Sequence, residues 1–336
     1  MGDRPTDAPS NCPGTQSKDA GKSDACEGCP NKGVCASGSG SLPLSEREPE
    51  TIAAIRKRMG HIRHCLLILS GKGGVGKSSL AACLARGLSR CPRAGFSESS
   101  LFSREPASED CCRVGVLDLD LCGPSLPCFF GCLDAKNTLI RQLLSDVCWT
   151  TEENEQLDFL LIDTPPGTSD EHLSCVQYLE AAGCLDGALV ITTPQELSLG
   201  DVRKEITFCD KLNLPILGIV ENMSEFTCPC CGLTSPLFPP TTGGAASLSS
   251  AANPIRLLGR VPLDPLLTRT LDEGRCPFEE ASQNANLGES KPSTDASAIL
   301  HPSSPVMVAY SRLISNLCDQ LHQGRTDSNP GEPRNA

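Results

Sequence analysis

The sequence predicts a doubly wound α/β fold with a mostly parallel sheet and a cysteine-rich N-terminal extension. Three observations lead there. Short apolar runs alternate with helix-competent segments between residues 65 and 261, a pattern that builds parallel sheets. The first of these runs, Cys65 to Leu69, feeds a loop rich in glycine and lysine that opens a helix. Residues 1–41 have no apolar periodicity, yet they hold four cysteines.

Residues 1–41 form the first unit. They are rich in Gly, Ser, Asp, Lys and Pro and cannot pack a core. Cys12, Cys26, Cys29 and Cys35 fall inside, the middle pair spaced C-x-x-C. A coreless segment with four thiols is expected to be held by a metal. Zinc or an iron–sulfur cluster suits four thiolates, and spacing alone leaves both open. Residues 42–280 form the second unit. Its opening stretch, 43–63, reads as a helix with Leu44, Ile55 and Met59 on an apolar side.

The stretch Ser70 to Ser79, SGKGGVGKSS, satisfies G-x-x-x-x-G-K-[ST] between a strand and a helix, Ser79 to Leu88. Gly71, Gly73, Gly74 and Gly76 let the backbone around Val75 curl so that N–H groups converge on an anion. The helix N-terminus adds its positive dipole end. Lys77 is expected to reach the β- and γ-phosphates, and the Ser78 hydroxyl to hold Mg²⁺. Lys72 is a second lysine that a simple phosphate loop does not need.

Residues 91–112 carry Ser, Glu, Pro92 and Pro106 and read as a solvated surface insertion. Val114 to Leu117 is the next buried strand, ending in Asp118-Leu119-Asp120. Carboxylates at the carboxyl end of a parallel strand sit where open α/β sheets place their chemistry. Asp120 is the candidate for positioning an attacking water, and Asp118 for supporting the Mg²⁺ shell or a switch loop. Phe159 to Asp163 is a third run ending in an acid, which suits a strand whose aspartate holds Mg²⁺. Thr164-Pro165-Pro166-Gly167 follows and reads as a γ-phosphate switch.

Strand Gly187 to Thr193, helix Ser198 to Leu212 and strand Ile216 to Val220 continue the alternation. Asn222 stands at a strand end where an amide could recognise a base. Cys228 and Cys231 have ligand spacing, with Cys230 between them. Two thiolates do not close a four-ligand site, but two copies across a symmetry axis do. A redox dithiol and pairing with a distant cysteine are the alternatives. Strand Leu257 to Val261 ends the sheet. Residues 281–336 form the third unit: a polar loop, a closing amphipathic helix from Val306 to His322 and a polar tail.

Composition narrows the class. The net charge of −12 argues against a nucleic-acid footprint. No run approaches the length of a membrane span, and Met1 to Ser10 lacks the apolar core of a signal peptide. A cytoplasmic protein is expected, so its 21 cysteines should be thiols or metal ligands. Scattered Cys65, Cys83, Cys148, Cys175, Cys184, Cys209 and Cys318 read as small core hydrophobes.

Lys72 makes the loop resemble the deviant Walker A of the MinD/ParA/nitrogenase-iron-protein class. That resemblance implies a dimer in which Lys72 contacts nucleotide on the facing subunit. Taken together, the N-terminal cysteines, SGKGGVGKSS, LDLDLCGPS, LLIDTPPGTSDEHLS, VITTPQELSLGDVRKEI, PILGIVENMS, FPPTTGG and LLGRVPLDP resemble the Mrp/nucleotide-binding-protein family of P-loop ATPases. The match covers most of residues 10–280 outside the insertion. It implies a stable [4Fe–4S] cluster on Cys12, Cys26, Cys29 and Cys35 of each chain. It also implies a labile, subunit-bridging [4Fe–4S] cluster on Cys228 and Cys231. ATP with Mg²⁺ is the implied nucleotide, slowly hydrolysed. The implied function is a scaffold that assembles clusters and passes them to cytosolic and nuclear apoproteins. Its implied partners are a second copy, or a shorter paralogous ATPase in a heterotetramer, with client proteins and downstream assembly factors.

One departure stands out. The family runs through another strand after the Asp118–Ser125 motif, whereas this chain goes from Phe129 almost directly to Thr138-Leu139-Ile140. Loss of an interior strand would expose apolar surface. Two rival functions remain: a zinc-bearing regulatory switch acting on a protein partner, and a MinD-like positioning ATPase. The second is disfavoured, since no basic amphipathic C-terminal helix is present.

Overall fold

The computed structural model describes residues 9, 11–13, 17, 19–29, 32–37, 44–103, 110–120, 126–130, 144, 147–149, 156–167, 170–228, 233–238, 243–249, 254–285 and 300–327. The strands are β1 (Ile62–Leu69), β2 (Val114–Asp118), β3 (Leu157–Asp163), β4 (Gly187–Thr192), β5 (Ile216–Thr227), β6 (Thr234–Pro236) and β7 (Leu257–Leu263). The helices are α1 (Lys32–Ser37), α2 (Leu44–Arg47), α3 (Pro49–Met59), α4 (Lys77–Leu88), α5 (Glu98–Leu101), α6 (Leu126–Phe129), α7 (Asp170–Ala182), α8 (Glu196–Lys211), α9 (Pro265–Asp272), α10 (Pro277–Asn284) and α11 (Pro305–Asp327).

All seven strands join one sheet in the order β2-β3-β1-β4-β5-β6, with β7 on β5. Each pairing is parallel except that of β5 with β6. The doubly wound expectation is therefore met. β1 lies between β3 and β4, where the chain leaves one flank of the sheet and begins the other. Ligands bind open α/β sheets at such a reversal, beyond the strand carboxyl ends.

β1, β3 and β4 are mostly apolar and buried because helices cover both faces. Side chains alternate between two cores. Leu66 and Ile68 of β1 join Leu161 in one, with Leu80 and Leu84 of α4 and Tyr310, Leu313 and Ile314 of α11. Leu67 and Leu69 join Leu160 and Ile162 in the other, with Ile55 of α3, Leu179 of α7 and Val202 of α8. The closing helix α11 buries Val306, Met307, Tyr310, Leu313, Ile314, Leu317 and Leu321, a stripe of helical period.

Several expectations change. The helix foreseen over 43–63 is two helices, because Pro49 starts α3 and cannot continue α2. Residues 62 and 63 belong to β1. The first part of the polar loop foreseen from 281 is the end of α10. The insertion is less solvated than its composition suggests. Cys91 and Leu101 are buried, and Phe96 and Phe102 pack on the core. Arg90 pins it, donating from Nε to the Leu101 carbonyl (2.8 Å) and through its guanidinium to the Ser103 carbonyl. Cys65, Cys83, Cys175, Cys209 and Cys318 are buried as expected, but Cys184 is half-buried and Cys148 is exposed. Burial pushes the Cys83, Cys175, Cys209 and Cys318 thiols up to about 12, which leaves them unreactive.

The described sheet has no interior gap: β2, β3, β1, β4 and β5 pair in succession. β2 ends it, with four of its five residues only half-buried. A strand lost after Asp118 would thus narrow the sheet at its margin and leave the centre whole. The Thr138-Leu139-Ile140 stretch lies outside the described residues. Before it, α4 grips the chain through Arg86, which donates to the carbonyls of Phe129 (2.6 Å) and Gly274 (2.9 Å) and sits over the Phe130 ring.

Candidate functional site

The glycine-rich loop joins β1 to α4 at the centre of the sheet. Gly74 (φ 79°) and Gly76 (φ 80°) adopt the left-handed conformation that turns successive amides to one side. Gly71 is required for a different reason. A Cβ there would lie 2.6 Å from the Asp201 carbonyl carbon, since α8 presses its backbone against the loop. Val75 is buried and anchors the loop, Gly73 and Gly74 are exposed, and Lys72, Ser78 and Ser79 are half-buried.

Lys77, the first residue of α4, is buried and pairs with the fully buried Asp163 of β3. Burial raises the Asp163 carboxyl above its ordinary range, although Lys77 and Ser78 oppose the rise and the Asp118 charge adds to it. Asp163 Oδ2 is buried and has no hydrogen-bond partner. An orphaned carboxylate oxygen beside a serine hydroxyl is the donor set that a hard divalent cation takes, so Ser78 and Asp163 fit Mg²⁺.

The loop after β3 packs on the glycine-rich loop. Thr164 Oγ1 donates to the Ile68 carbonyl (2.8 Å), and the Gly167 N–H to the Ser70 carbonyl (2.9 Å). The Pro166 ring approaches Gly73. Asp118 pairs in register with Asp163 and organises the turn that follows it. Its Oδ1 accepts from the Asp120 N–H (3.0 Å) and its Oδ2 from the Leu126 N–H (3.2 Å). Asp120 is half-buried in that turn. Residues 121–125 and 168–169 lie outside the described residues.

Asn222 also meets the loop. Its Nδ2 donates to the Val75 carbonyl (2.9 Å), and a Cβ on Gly76 would lie 2.3 Å from that nitrogen. Beside it, buried Glu221 accepts from the Ala245 N–H (2.6 Å) and Arg260 Nε (2.9 Å). β5 runs on past both, seven residues beyond the expected strand end, to Thr227. Cys228 follows, half-buried, its N–H donating to the Leu233 carbonyl (3.0 Å). Cys230 and Cys231 lie outside the described residues.

At the N-terminus Cys12 and Cys26 are buried, and Cys29 and Cys35 are half-buried. Burial raises the Cys35 thiol, and the neighbouring Cys29, Cys12 and Cys26 raise it further, which places all four in one neighbourhood. A hydrogen bond with Ser23 Oγ (3.3 Å) lowers the Cys26 thiol toward the thiolate that metals bind. As placed, no group of three or more His, Cys, Asp or Glu among the described residues could hold a metal ion. The chemistry of the four thiols fits a soft metal or cluster, whose binding would draw the sulfurs together.

Sequence reasoning missed Asp201 and Met223 as neighbours of the loop. Glu221-Asn222-Met223 had a readable signal, two polar residues interrupting a run that tertiary structure buries. Asp201 had none, because it contributes backbone.

The chain was compared with known proteins. A family model described as ParA, NUBPL iron-transfer P-loop NTPase, matches residues 134–294. The cytosolic Fe-S cluster assembly factor NUBP1 homolog of Caenorhabditis briggsae is 42% identical, over 86% of this chain and 96% of its own length. The corresponding protein of Brugia malayi is also 42% identical, over 85% of this chain and 96% of its own. The C. briggsae alignment spans 330 positions, more than 86% of 336 residues, so that relative has positions with no counterpart here. Among solved structures, the nucleotide-binding protein of Archaeoglobus fulgidus in complex with ADP matches with a TM-score of 0.52 and 30% identity, over 72% of this chain and 97% of that one. With its phosphate loop set on a doubly wound sheet and its relatedness extending over most of its length, this chain belongs to the Mrp/nucleotide-binding-protein family of P-loop NTPases, in the NUBP1-like group.

Proposed function

We propose that this protein is an ATP-dependent cytoplasmic scaffold that assembles [4Fe–4S] clusters and transfers them to cytosolic and nuclear apoproteins. What carries this reading is the presence on one chain of a phosphate loop backed by Asp163 and of two separate thiol sets. Fe–S assembly is in the names of the two relatives, and iron transfer in the description of the family model.

In this reading the loop amides from Gly71 to Ser79 and the Lys77 ammonium hold the nucleotide phosphates. A phosphate competes with Asp163 for Lys77, and Ser78 and Asp163 Oδ2 then hold Mg²⁺, which supplies charge neutralisation at the phosphates. Asp120 positions the attacking water for slow hydrolysis, and Asp118 shapes the turn that carries Asp120. Lys72 reaches nucleotide on the facing subunit. Asn222 meets the base with the part of its amide that Val75 does not engage. Cys12, Cys26, Cys29 and Cys35 hold a resident cluster. Cys228 and Cys231 share the cargo cluster with a second copy or a shorter paralogue, and client proteins and downstream factors receive it.

The test is anaerobic reconstitution with iron and sulfide, followed by iron and sulfide stoichiometry and EPR on the wild type and on Cys228→Ala/Cys231→Ala. The expected result is about four irons per chain that survive the double substitution, with a second, dimer-shared cluster lost. Tight zinc with no reducible cluster would overturn the scaffold in favour of the regulatory switch.

A further inference from the structure

β5 joins the phosphate loop to Cys228, and it is broken at one place between them. Asn222 pairs with Val261 of β7 and Phe226 with Leu263, so Met223, Ser224 and Glu225 stand opposite Pro262 alone. This is a bulge, a feature that bends a strand and gathers next to active sites. At its first residue, Met223, φ is 54°. A long side chain in the left-handed region is strained, and such strain persists only where surrounding contacts impose it.

Contacts on this turn come from β7, where Ser224 Oγ donates to the Val261 carbonyl (3.2 Å), and from the phosphate loop. Asn222 holds the Val75 carbonyl, its Nδ2 fills the space that Gly76 leaves by lacking a Cβ, and Met223 Cε borders that space at 3.6 Å. Beyond the bulge the strand is held again, by β7 at Leu263 and by β6. Glu225, Phe226 and Thr227 pair with β6, and the Cys228 N–H closes the hairpin on Leu233. Before it, β4 and β7 hold β5 as far as Glu221 and Asn222. Two paired segments thus meet at one strained residue whose side chain borders the loop at Gly76.

We infer that Met223 is a hinge through which occupancy of the phosphate loop sets the position of Cys228, with Asn222 and Met223 as its positioning residues. The coupling rests on the proposed roles of the loop in nucleotide binding and of Cys228 in metal binding. A phosphate that shifts Val75 and Gly76 moves the contacts that hold Met223 left-handed. Relaxation of Met223 toward the extended conformation swings the Cys228 hairpin. Relief of strain at one such residue changes the balance of two hinge conformers about fivefold or more.

The experiment is hydrogen–deuterium exchange on the full-length chain, with and without Mg-ADP or a non-hydrolysable Mg-ATP analogue, with nucleotide affinity measured on the same samples. In the wild type nucleotide changes the exchange of amides 224–228. Met223→Gly adopts both conformations freely, still binds nucleotide with its affinity shifted by no more than the coupling itself, and shows that change reduced about fivefold. Met223→Leu keeps both the strain and the apolar contact and retains it. An undiminished response in Met223→Gly, or no wild-type response despite bound nucleotide, overturns the hinge. Failure to bind nucleotide overturns the hinge and the loop assignment together. The readout needs no iron, so a failed reconstitution at Cys228 would refute the metal assignment and leave the exchange result to decide the hinge.

Discussion

Replacing Lys77 by Met leaves Asp163 as a fully buried carboxylate without its counter-charge. Breaking a buried pair from one side costs about 3–5 kcal/mol. Here protonation of Asp163 caps the cost. Burial already raises its pKa above the ordinary 3.8, and the substitution removes two of the effects that lower it, the Lys77 charge and its hydrogen bond. The folded variant therefore keeps a proton that the unfolded chain releases above pH 3.8. That uptake costs about 1.4 kcal/mol per pH unit for as long as the proton is kept, so the loss is larger at pH 7 than at pH 5. The sign follows from linkage: a raised folded pKa means that stability falls as pH rises above the unfolded value. Urea unfolding followed by circular dichroism, at both pH values, measures the loss. Lys77→Met/Asp163→Asn should recover most of it at pH 7. A loss equal at the two pH values, or a double variant no more stable than the single one, would refute the reasoning.

Further expectations concern the scaffold around the loop. Glu205 is buried in α8 with Oε2 unpartnered, and burial, aided by Asp201, raises its carboxyl from 4.5 to about 7. Its contribution therefore declines as pH climbs through that window, by about 3 kcal/mol in all. Glu205→Gln should flatten this slope in melting curves taken from about pH 5 to about pH 8; an unchanged slope would sink the assignment. Gly71→Ala sets a methyl against the Asp201 backbone, so about 1–3 kcal/mol of stability should go. Titration with a fluorescent ADP analogue should show weaker binding, and wild-type affinity would contradict the packing at Asp201. Arg90→Ala removes the guanidinium that holds the Leu101 and Ser103 carbonyls. About 2 kcal/mol should be lost, with faster amide exchange across 97–103 as the local signature.

The phosphate loop, its flanking strand and helix, and the acids at the ends of β2 and β3 were legible from sequence because each is a local signal. The glycines answer to backbone dihedrals, the apolar run to a strand covered on both faces, and the loop-to-helix step to a few successive residues. The thiol groups were legible in the same way, as counts and spacings. The third dimension decided which groups meet. Lys77 finds Asp163 across 86 residues of chain, and Asn222 finds Val75 across 147. Neither separation leaves a trace in local pattern. The insertion after Arg90 reads as polar surface because its few apolar residues, Phe96, Leu101 and Phe102, have no period. It is held because buried Arg90, just beyond the end of α4, takes up its carbonyls. The strand that the family pattern has after Asp118 could not be assigned to the centre or the margin of the sheet from sequence, since strand order is set by the crossovers and the packing of both helical layers. The bulge at Met223 was equally silent, because the loop that Asn222 meets beside it lies nearly 150 residues earlier in the chain.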